Sequence, residues 1–185
     1  MMRKAPKTLF VFAAGNEGLS NDIFPAAPAS IEHPHVISVA AVDPSGELAV
    51  FSNFGKKVDV AAPGVSILSS TPDAREIALS GTSQAAPFIA GLAAEIKAIN
   101  EDLSPSEIKK IILSSVDLKP SLSEKVLAGG IANTKRSLEA AALSLTMPLQ
   151  QAIEDARNKI QDETYFRSHT DQEKSYIPWR AASFY

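Results

Sequence analysis

Residues 80–99 read SGTSQAAPFIAGLAAEIKAI, and this stretch decides the fold. A glycine-permitted turn brings Ser83 to the start of an Ala-rich segment. Apolar residues recur in it at helical spacing, at Phe88, Ile89, Leu92, Ile96 and Ile99. Pro87 falls in the first turns, where a missing amide hydrogen costs least, and Gly91 would allow a neighbouring element to approach closely. The pattern predicts a helix that begins at Ser83 and is buried nearly all round.

The position of Ser83 at a helix start has two interpretations. At a strand-to-helix edge the serine hydroxyl is exposed, and the free amides and dipole of the helix favour negative charge beside it. That geometry suits an oxyanion. A lone G-T-S is more often a simple helix N-cap, so the choice between nucleophile and cap depends on the neighbouring motifs.

Upstream of this helix the sequence predicts strands. Three apolar runs are typical of parallel strands that are covered on both faces, at residues 8–14, 36–42 and 58–61. Residues 66–70 and 75–79 flank a T-P-D-A link and predict an antiparallel hairpin near the sheet edge. The strand signals end there.

Downstream, the signals are helical. S-P-S-E predicts a helix start with Ser104 as N-cap, Pro105 at the first position and Glu107 bonded back to the cap amide. Its buried stripe consists of Ile108, Ile111 and Ile112. Asn133 can cap a further helix that extends through Leu143. An amphipathic helix is predicted over residues 147–161, from the spacing of Leu149, Ile153, Ala156 and Ile160.

Four segments, in chain order, resemble those of the subtilisin-like serine proteases, the subtilases. They are A-A-G-N-E-G at residues 13–18, V-D-V-A-A-P-G at 58–64, G-T-S-x-A-x-P at 81–87 and G-G-I-A-N at 129–133. The serine motif is highly specific, whereas A-A-G-N alone is moderately so. Together they extend the resemblance over residues 9–143 and favour the nucleophile interpretation of Ser83.

The resemblance implies a three-layer α/β subtilisin-like fold with a mostly parallel sheet, of which this chain holds the C-terminal portion. It implies peptide-bond hydrolysis through an acyl-enzyme on Ser83, with the Ser83 amide and the Asn16 side chain holding the oxyanion. These two residues should therefore converge in one cleft. One wall of the substrate pocket is matched by Ala13, Ala14 and Gly15. A cis bond at Phe24–Pro25 is also implied, and no metal or cofactor is predicted.

The Asp and His of the family's catalytic triad are missing from the sequence. No D-S-G, D-T-G or H-G-x-H occurs, and none of the three histidines, His33, His35 and His169, lies in a matching context. The His33-Pro34-His35 segment is predicted to be a surface loop and not a metal site. No catalytic role is assigned to Asp22, Asp43 or Asp59. The charges of residues 101–110, including the Lys109-Lys110 pair, are predicted to be a solvated helical face.

Two hypotheses about function follow. In the favoured one, the chain is part of an active serine endopeptidase whose missing N-terminal half supplies Asp and His, and its partners are that half and a polypeptide substrate. This chain alone is then predicted to be inactive, because a nucleophile without its base is weak. In the alternative, the chain is a non-catalytic pseudoprotease or a peptide-binding module.

Composition excludes other classes of function. The 185 residues are 45% hydrophobic and carry a net charge of −3, with interspersed charges and no basic stripe for nucleic acid. No run reaches the ~18 apolar residues that span a bilayer, so no membrane partner is predicted. The N-terminal apolar run is predicted to be a strand and not a signal peptide, although the family resemblance implies an extracellular or cell-envelope location.

Three parts are predicted along the chain. Residues 1–145 form the C-terminal part of a subtilase catalytic domain, and residues 146–162 form an amphipathic helical extension. Residues 163–185 form a polar tail that contains aromatic residues without helical or strand period, so they are predicted to lie outside the main core.

Overall fold

A computed structural model describes residues 4–72 and 75–160, with a five-stranded sheet at its centre. The strands are β1 (Phe10–Ala13), β2 (Val36–Val42), β3 (Val60–Pro63), β6 (Asp117–Leu118) and β7 (Gly130–Ile131). Their spatial order is β1-β2-β3-β7-β6, and all neighbours are parallel except β6 and β7. A separate antiparallel hairpin consists of β4 (Ile67–Ser70) and β5 (Glu76–Leu79). The predicted α/β class with a mostly parallel sheet is confirmed.

The described residues also form four α-helices, together with a short 3-10 helix at Pro120–Leu122: α1 (Thr82–Ile99), α2 (Pro105–Ser114), α3 (Thr134–Leu143) and α4 (Leu149–Lys159). Their apolar residues pack on one face of the sheet in a core that includes Ile37, Val39, Val60, Ile89 and Ile111. On the other face, Ala40, Val42 and Ile131 pack against Leu122 and Val126, which follow β6 along the chain. Both faces of β2 are therefore covered, which explains its uninterrupted apolar sequence.

The strand predictions differ from the structure in length and number. The strand β2 has the predicted bounds, whereas β1 is shorter than residues 8–14 and β3 lies two residues later than residues 58–61. The predicted end of strand signals after the hairpin is wrong, because β6 and β7 follow. Each has two residues, which is too short to produce a period in the sequence.

The helix starts follow the capping chemistry of the sequence. At α2 the Glu107 amide donates to Ser104 Oγ (3.3 Å) and the Ser104 amide donates to Glu107 Oε2 (2.8 Å), so the predicted capping box is present. At α3 the Arg136 amide donates to Asn133 Oδ1 (2.8 Å). Helix α4 lies within the predicted residues 147–161 and buries Ala152, Ile153 and Ala156.

Helix α1 differs from its prediction on one side. It begins at Thr82, one residue before Ser83, and it is not buried all round. A stripe of exposed residues runs along it, formed by Ser83, Pro87, Ala90, Gly91, Ala94 and Ala98. Apart from its chain neighbours and the backbone of α1 itself, no described atom lies within 4 Å of the position of a Cβ on Gly91, so the close approach predicted there is absent from residues 4–72 and 75–160.

The same side of the molecule has an open sheet edge. Strand β1 pairs with β2 alone among the strands that the structure describes, and its four residues are half-buried. The exposed stripe of α1 lies next to β1, because α1 packs against β1 and its Ala90 and Ala94 line a pocket together with Leu9. We call this stripe and the free edge of β1 the open side. No helix within the described ranges is long and apolar enough to cross a membrane.

Lys109 corrects the prediction of a fully solvated face on α2. Its ammonium group contacts Asp59 Oδ1 (2.7 Å) and donates to the carbonyl of Val36 (2.6 Å). The other oxygen of Asp59 accepts from the amide of Ser38 (2.8 Å). The side chains of Lys109 and Asp59 are 17% and 11% exposed, so this largely buried pair fastens α2 to the beginnings of β2 and β3.

Replacing Lys109 should therefore destabilise the fold. Lys109→Ala leaves the Asp59 carboxylate largely buried without its cation, and we expect a loss of about 3 kcal/mol in the free energy of unfolding. The exposed neighbour Lys110 gives a matched control, since Lys110→Ala should stay within about 0.5 kcal/mol of the parent. Urea unfolding of both variants measures the difference, and equal stabilities would contradict the role of Lys109.

The capping box of α2 should make stability depend on pH. Hydrogen bonds from the Ser104 hydroxyl and the Ser104 amide lower the pKa of Glu107 below its ordinary value of 4.5. A lowered pKa in the folded state contributes stability that is present above the ordinary value and is lost as the pH falls through the lowered one. Glu107→Gln can still cap but cannot titrate. Urea unfolding of both proteins should show a stability advantage of the parent near neutral pH that shrinks as the pH falls below 4.5.

Candidate active site

The motif residues meet where β1 ends and α1 begins. Asn16 follows β1 by three residues, and Ser83 is the second residue of α1. The two segments are 66 positions apart, yet the backbone amide of Thr82 donates to Asn16 Oδ1 at 2.9 Å. The predicted proximity of Asn16 and Ser83 is therefore observed, and both residues are exposed to solvent.

Thr82 fixes the orientation of the Asn16 side-chain carboxamide. Besides its amide, the Thr82 hydroxyl donates to Asn16 Oδ1 (3.0 Å) and accepts from the amide of Gly15 (3.2 Å). With its oxygen bonded on the protein side, Asn16 has its Nδ2 group available as a donor. The amide of Ser83 belongs to the first turn of α1, whose amides have no acceptor within the helix. The arrangement offers two N–H donors beside an exposed serine hydroxyl.

The three residues predicted to line the substrate pocket do not contribute equally to the surface. Ala13 and Gly15 are half-buried, whereas Ala14 is fully buried in the smaller core cluster. The amide of Ala14 donates to the carbonyl of Val39 (3.0 Å), and its own carbonyl accepts from Asn21 Nδ2 (3.0 Å). Ala14 therefore supports this wall from behind.

The histidines of the described chain lie at the opposite end of the sheet from Ser83. His33 and His35 immediately precede β2, and the carbonyl of His35 accepts from the amide of Phe10 at the beginning of β1. Asn16 lies beyond the other end of β1. A cavity of about 590 Å³ near His33 is lined in part by Asp59 and Lys109 and lies at this same end. His169 falls outside the described residues.

Structural contacts account for His33, Asp22 and Asp43. His33 Nδ1 accepts from the amide of His35 (3.1 Å), and within residues 4–72 and 75–160 no group of three or more metal-ligating side chains is found. Asp22 accepts from the amides of Lys56 and Lys57, and Asp43 accepts from amides of its own turn. Asp43 therefore stabilises its own turn, whereas Asp22 joins two segments that are 34 to 35 positions apart.

The prediction of a cis bond between Phe24 and Pro25 is wrong. The cis X-Pro bond of the described residues is Ala27–Pro28, three positions later in the same loop. The prediction rests on the aromatic residue before Pro25, whereas the cis bond follows an alanine at the next proline of the loop.

Comparison with known proteins identifies the family. The sequence profile of the subtilase family matches residues 1–159. The chain belongs to the subtilase family. Subtilase kinship therefore extends past residue 143, where the resemblance based on the motifs ends, and includes α4.

Individual relatives agree with this assignment. The chain is 38% identical over 104 residues to a thermostable alkaline protease of Halalkalibacterium halodurans, covering 56% of this chain and 27% of that protein. It is 46% identical over 108 residues to a cuticle-degrading serine protease of Arthrobotrys oligospora, covering 57% of this chain and 25% of that protein. This subtilase chain thus spans about a quarter of the length of these relatives.

A solved structure shows the same fold. In the structure titled "Structural basis of subtilase cytotoxin SubAB assembly", one chain superimposes with a TM-score of 0.68 at 30% identity. The match covers 81% of this subtilase and 54% of that chain. About half of that matched chain therefore has no counterpart in this subtilase chain.

The loop that carries Asn16 should tolerate no side chain at Gly15. Gly15 has a φ of 116°, and a Cβ placed there would lie 2.3 Å from Asn53 Nδ2. Gly15→Ala should cost at least about 1–3 kcal/mol from backbone strain alone. Gly91→Ala is the matched control: it adds a methyl group in open space on a helix and should stabilise by about 0.5–1 kcal/mol. In thermal unfolding, the melting temperature should fall in Gly15→Ala and rise in Gly91→Ala.

Proposed function

We propose that this chain carries the nucleophile and the oxyanion donors of a serine endopeptidase. The Ser83 hydroxyl gives its proton to a general base and attacks the carbonyl carbon of the scissile peptide bond. The C–N bond then breaks, the amine leaves with that proton, and water hydrolyses the resulting acyl-enzyme. The developing oxyanion accepts hydrogen bonds from the Ser83 amide and Asn16 Nδ2. The observation that carries this proposal is the bonding of Thr82 to Asn16 Oδ1, which leaves these two donors beside one serine.

The general base and its Asp partner come, in this proposal, from a segment outside the chain. Two observations support this. His33 and His35 lie at the far end of the sheet, and the open side leaves β1 without an outer neighbour among the described residues. A parallel strand paired with β1 and a helix over the α1 stripe would cover the open side and could bring a histidine to Ser83.

The substrate is proposed to be a polypeptide, and the site of action the cell exterior or envelope. The relatives named above are proteases, and one of them degrades cuticle by its name. The half-buried wall of Ala13 and Gly15 carries no bulky side chain, so it leaves room for a substrate side chain beside Ser83.

A non-catalytic peptide-binding role is the second candidate, favoured by the lack of a base near Ser83 in the described ranges. The two candidates differ in what the DNA upstream of this chain encodes. An upstream reading frame that encodes D-S/T-G and H-G-x-H motifs supports the protease. Upstream DNA that encodes neither motif in any frame supports the binding module.

The direct test is reaction with a serine-directed fluorophosphonate probe. The chain is purified alone and together with an upstream segment that carries the Asp and His motifs, a pair we call the completed enzyme. A positioned general base contributes about 10²–10⁴ in rate, so labelling and peptide turnover should appear only in the completed enzyme. Ser83→Ala should abolish both, whereas Ser70→Ala, at an exposed serine of the hairpin, should abolish neither. Robust turnover by the chain alone would overturn the assignment of the base to another segment.

A further inference from the structure

Asn53 is a buried polar residue that the sequence motifs do not single out. It lies between β2 and β3, is 2% exposed, and faces the loop from Ala14 to Leu19 that carries Asn16. Its side-chain oxygen accepts from the amides of Glu17 (3.1 Å) and Leu19 (3.0 Å). A single carboxamide therefore accepts from two of the backbone amides that follow Asn16.

The nitrogen of the same side chain contacts residues on both sides of Asn16. Asn53 Nδ2 lies within hydrogen-bond distance of the Ala14 carbonyl (3.3 Å), Glu17 Oε2 (2.8 Å) and Asn21 Oδ1 (3.1 Å). The fully buried Asn21 also donates to the Ala14 carbonyl (3.0 Å). The Asn53 backbone amide donates to the carbonyl of Gly15 (2.9 Å).

The close fit under Gly15 makes this support specific. The Asn53 carboxamide fills the space where a Cβ of residue 15 would lie, at 2.3 Å from Nδ2. The loop therefore rests directly on Asn53, with its backbone in a conformation that glycine alone adopts readily. A shift of this side chain moves the backbone that carries Asn16.

Asn53 is in turn fixed to the central sheet. Its neighbour Ser52 accepts a hydrogen bond from the amide of Ala41 in β2 (2.9 Å) and donates to the carbonyl of Asn53 (3.0 Å). Both residues are buried. The path from β2 through Ser52 and Asn53 to the Asn16 loop is thus continuous and fully hydrogen-bonded, which is the condition under which a buried polar network rigidifies its surroundings.

We propose that Asn53, assisted by Asn21, is a positioning residue that sets the place of the Asn16 donor relative to Ser83. This inference rests on the proposed function of Asn16. Asn53 touches neither substrate nor reacting atoms. It acts through the position and orientation of the loop that carries Asn16. Oxyanion stabilisation requires donors at about 2.7–3.1 Å from the developing charge, so a small displacement of Asn16 weakens the transition state.

The kinetic test uses the completed enzyme. Asn53→Ala should lower kcat by about 10- to 100-fold with a change in KM of less than about threefold, because the lost interaction acts in the transition state. Asn16→Ala alone should cost about 10²–10³ in kcat. Since Asn53 acts through Asn16, the double variant should be no slower than Asn16→Ala. Additive losses would overturn the proposal, as would an unchanged kcat in Asn53→Ala.

A matched control separates positioning from general stability. Asn100 is also a buried asparagine, follows α1, and donates to Ser144 Oγ (2.9 Å) far from Ser83 along that helix. Asn100→Ala should lower the melting temperature while leaving kcat unchanged. An equal fall of kcat in this control would show that Asn53 acts merely through stability.

An isosteric variant keeps the test decisive where Asn53→Ala does not fold. Asn53→Asp retains the acceptor for the Glu17 and Leu19 amides but loses the Nδ2 donor and faces the Glu17 carboxylate. Its kcat should fall, and adding Glu17→Gln should restore part of the loss by giving the introduced carboxylate a donor. No rescue by this second change would contradict the assigned contact.

Hydrogen exchange tests the inference without turnover. The amides of Glu17 and Leu19 should lose protection in Asn53→Ala and keep it in Asn100→Ala, in the chain alone or paired with the upstream segment. A completed enzyme without turnover would sink the proposed function, and the exchange result would still decide whether Asn53 holds the loop. Unchanged protection of both amides in Asn53→Ala would overturn the inference.

Discussion

The bonding of Thr82 to the Asn16 side-chain oxygen joins two segments that are 66 positions apart, and the geometry of the site depends on it. Parallel pairing of β1 with β2 places the carboxyl end of β1 at one end of the sheet. Packing of α1 on β1 brings the start of the helix to the same end. Neither arrangement alone fixes the orientation of an exposed asparagine. The two hydrogen bonds from Thr82 do so by holding the side-chain oxygen of Asn16 on the protein side. The Nδ2 group of Asn16 is then free to donate to a bound molecule.

Most of this architecture can be predicted from the sequence because its signals are local. The capping box at Ser104, the cap at Asn133 and the uninterrupted apolar run of β2 each express their structure within a few residues. The serine and asparagine motifs are sufficient to predict that Ser83 and Asn16 lie together. Asn53 cannot be predicted in this way, since a buried asparagine between two strands has the same sequence appearance as a turn residue. The partners of its side chain lie 32 to 39 positions away.

Partners distant in sequence also explain the other departures. The charged neighbours of Lys109 predict a solvated side chain, yet Asp59 and the Val36 carbonyl reach it from across the fold. The small-residue composition of α1 predicts burial on all sides. In the structure, however, described residues bury one side of the helix and leave a stripe exposed. Composition indicates that a surface is suited to packing and does not tell which chain provides the cover.

The open side therefore links the stability of this chain to mass action. A segment that binds the folded chain at β1 and α1, and not the unfolded chain, stabilises it by an amount that rises with the logarithm of the segment's concentration. At a concentration of about 100 times the dissociation constant this amounts to about 2.7 kcal/mol, which is a large part of the stability of a typical domain. When such a segment is a separate molecule, the melting temperature belongs to the pair and changes with dilution. When it is joined covalently, the effective concentration is set by the connecting length, and the dependence on dilution disappears.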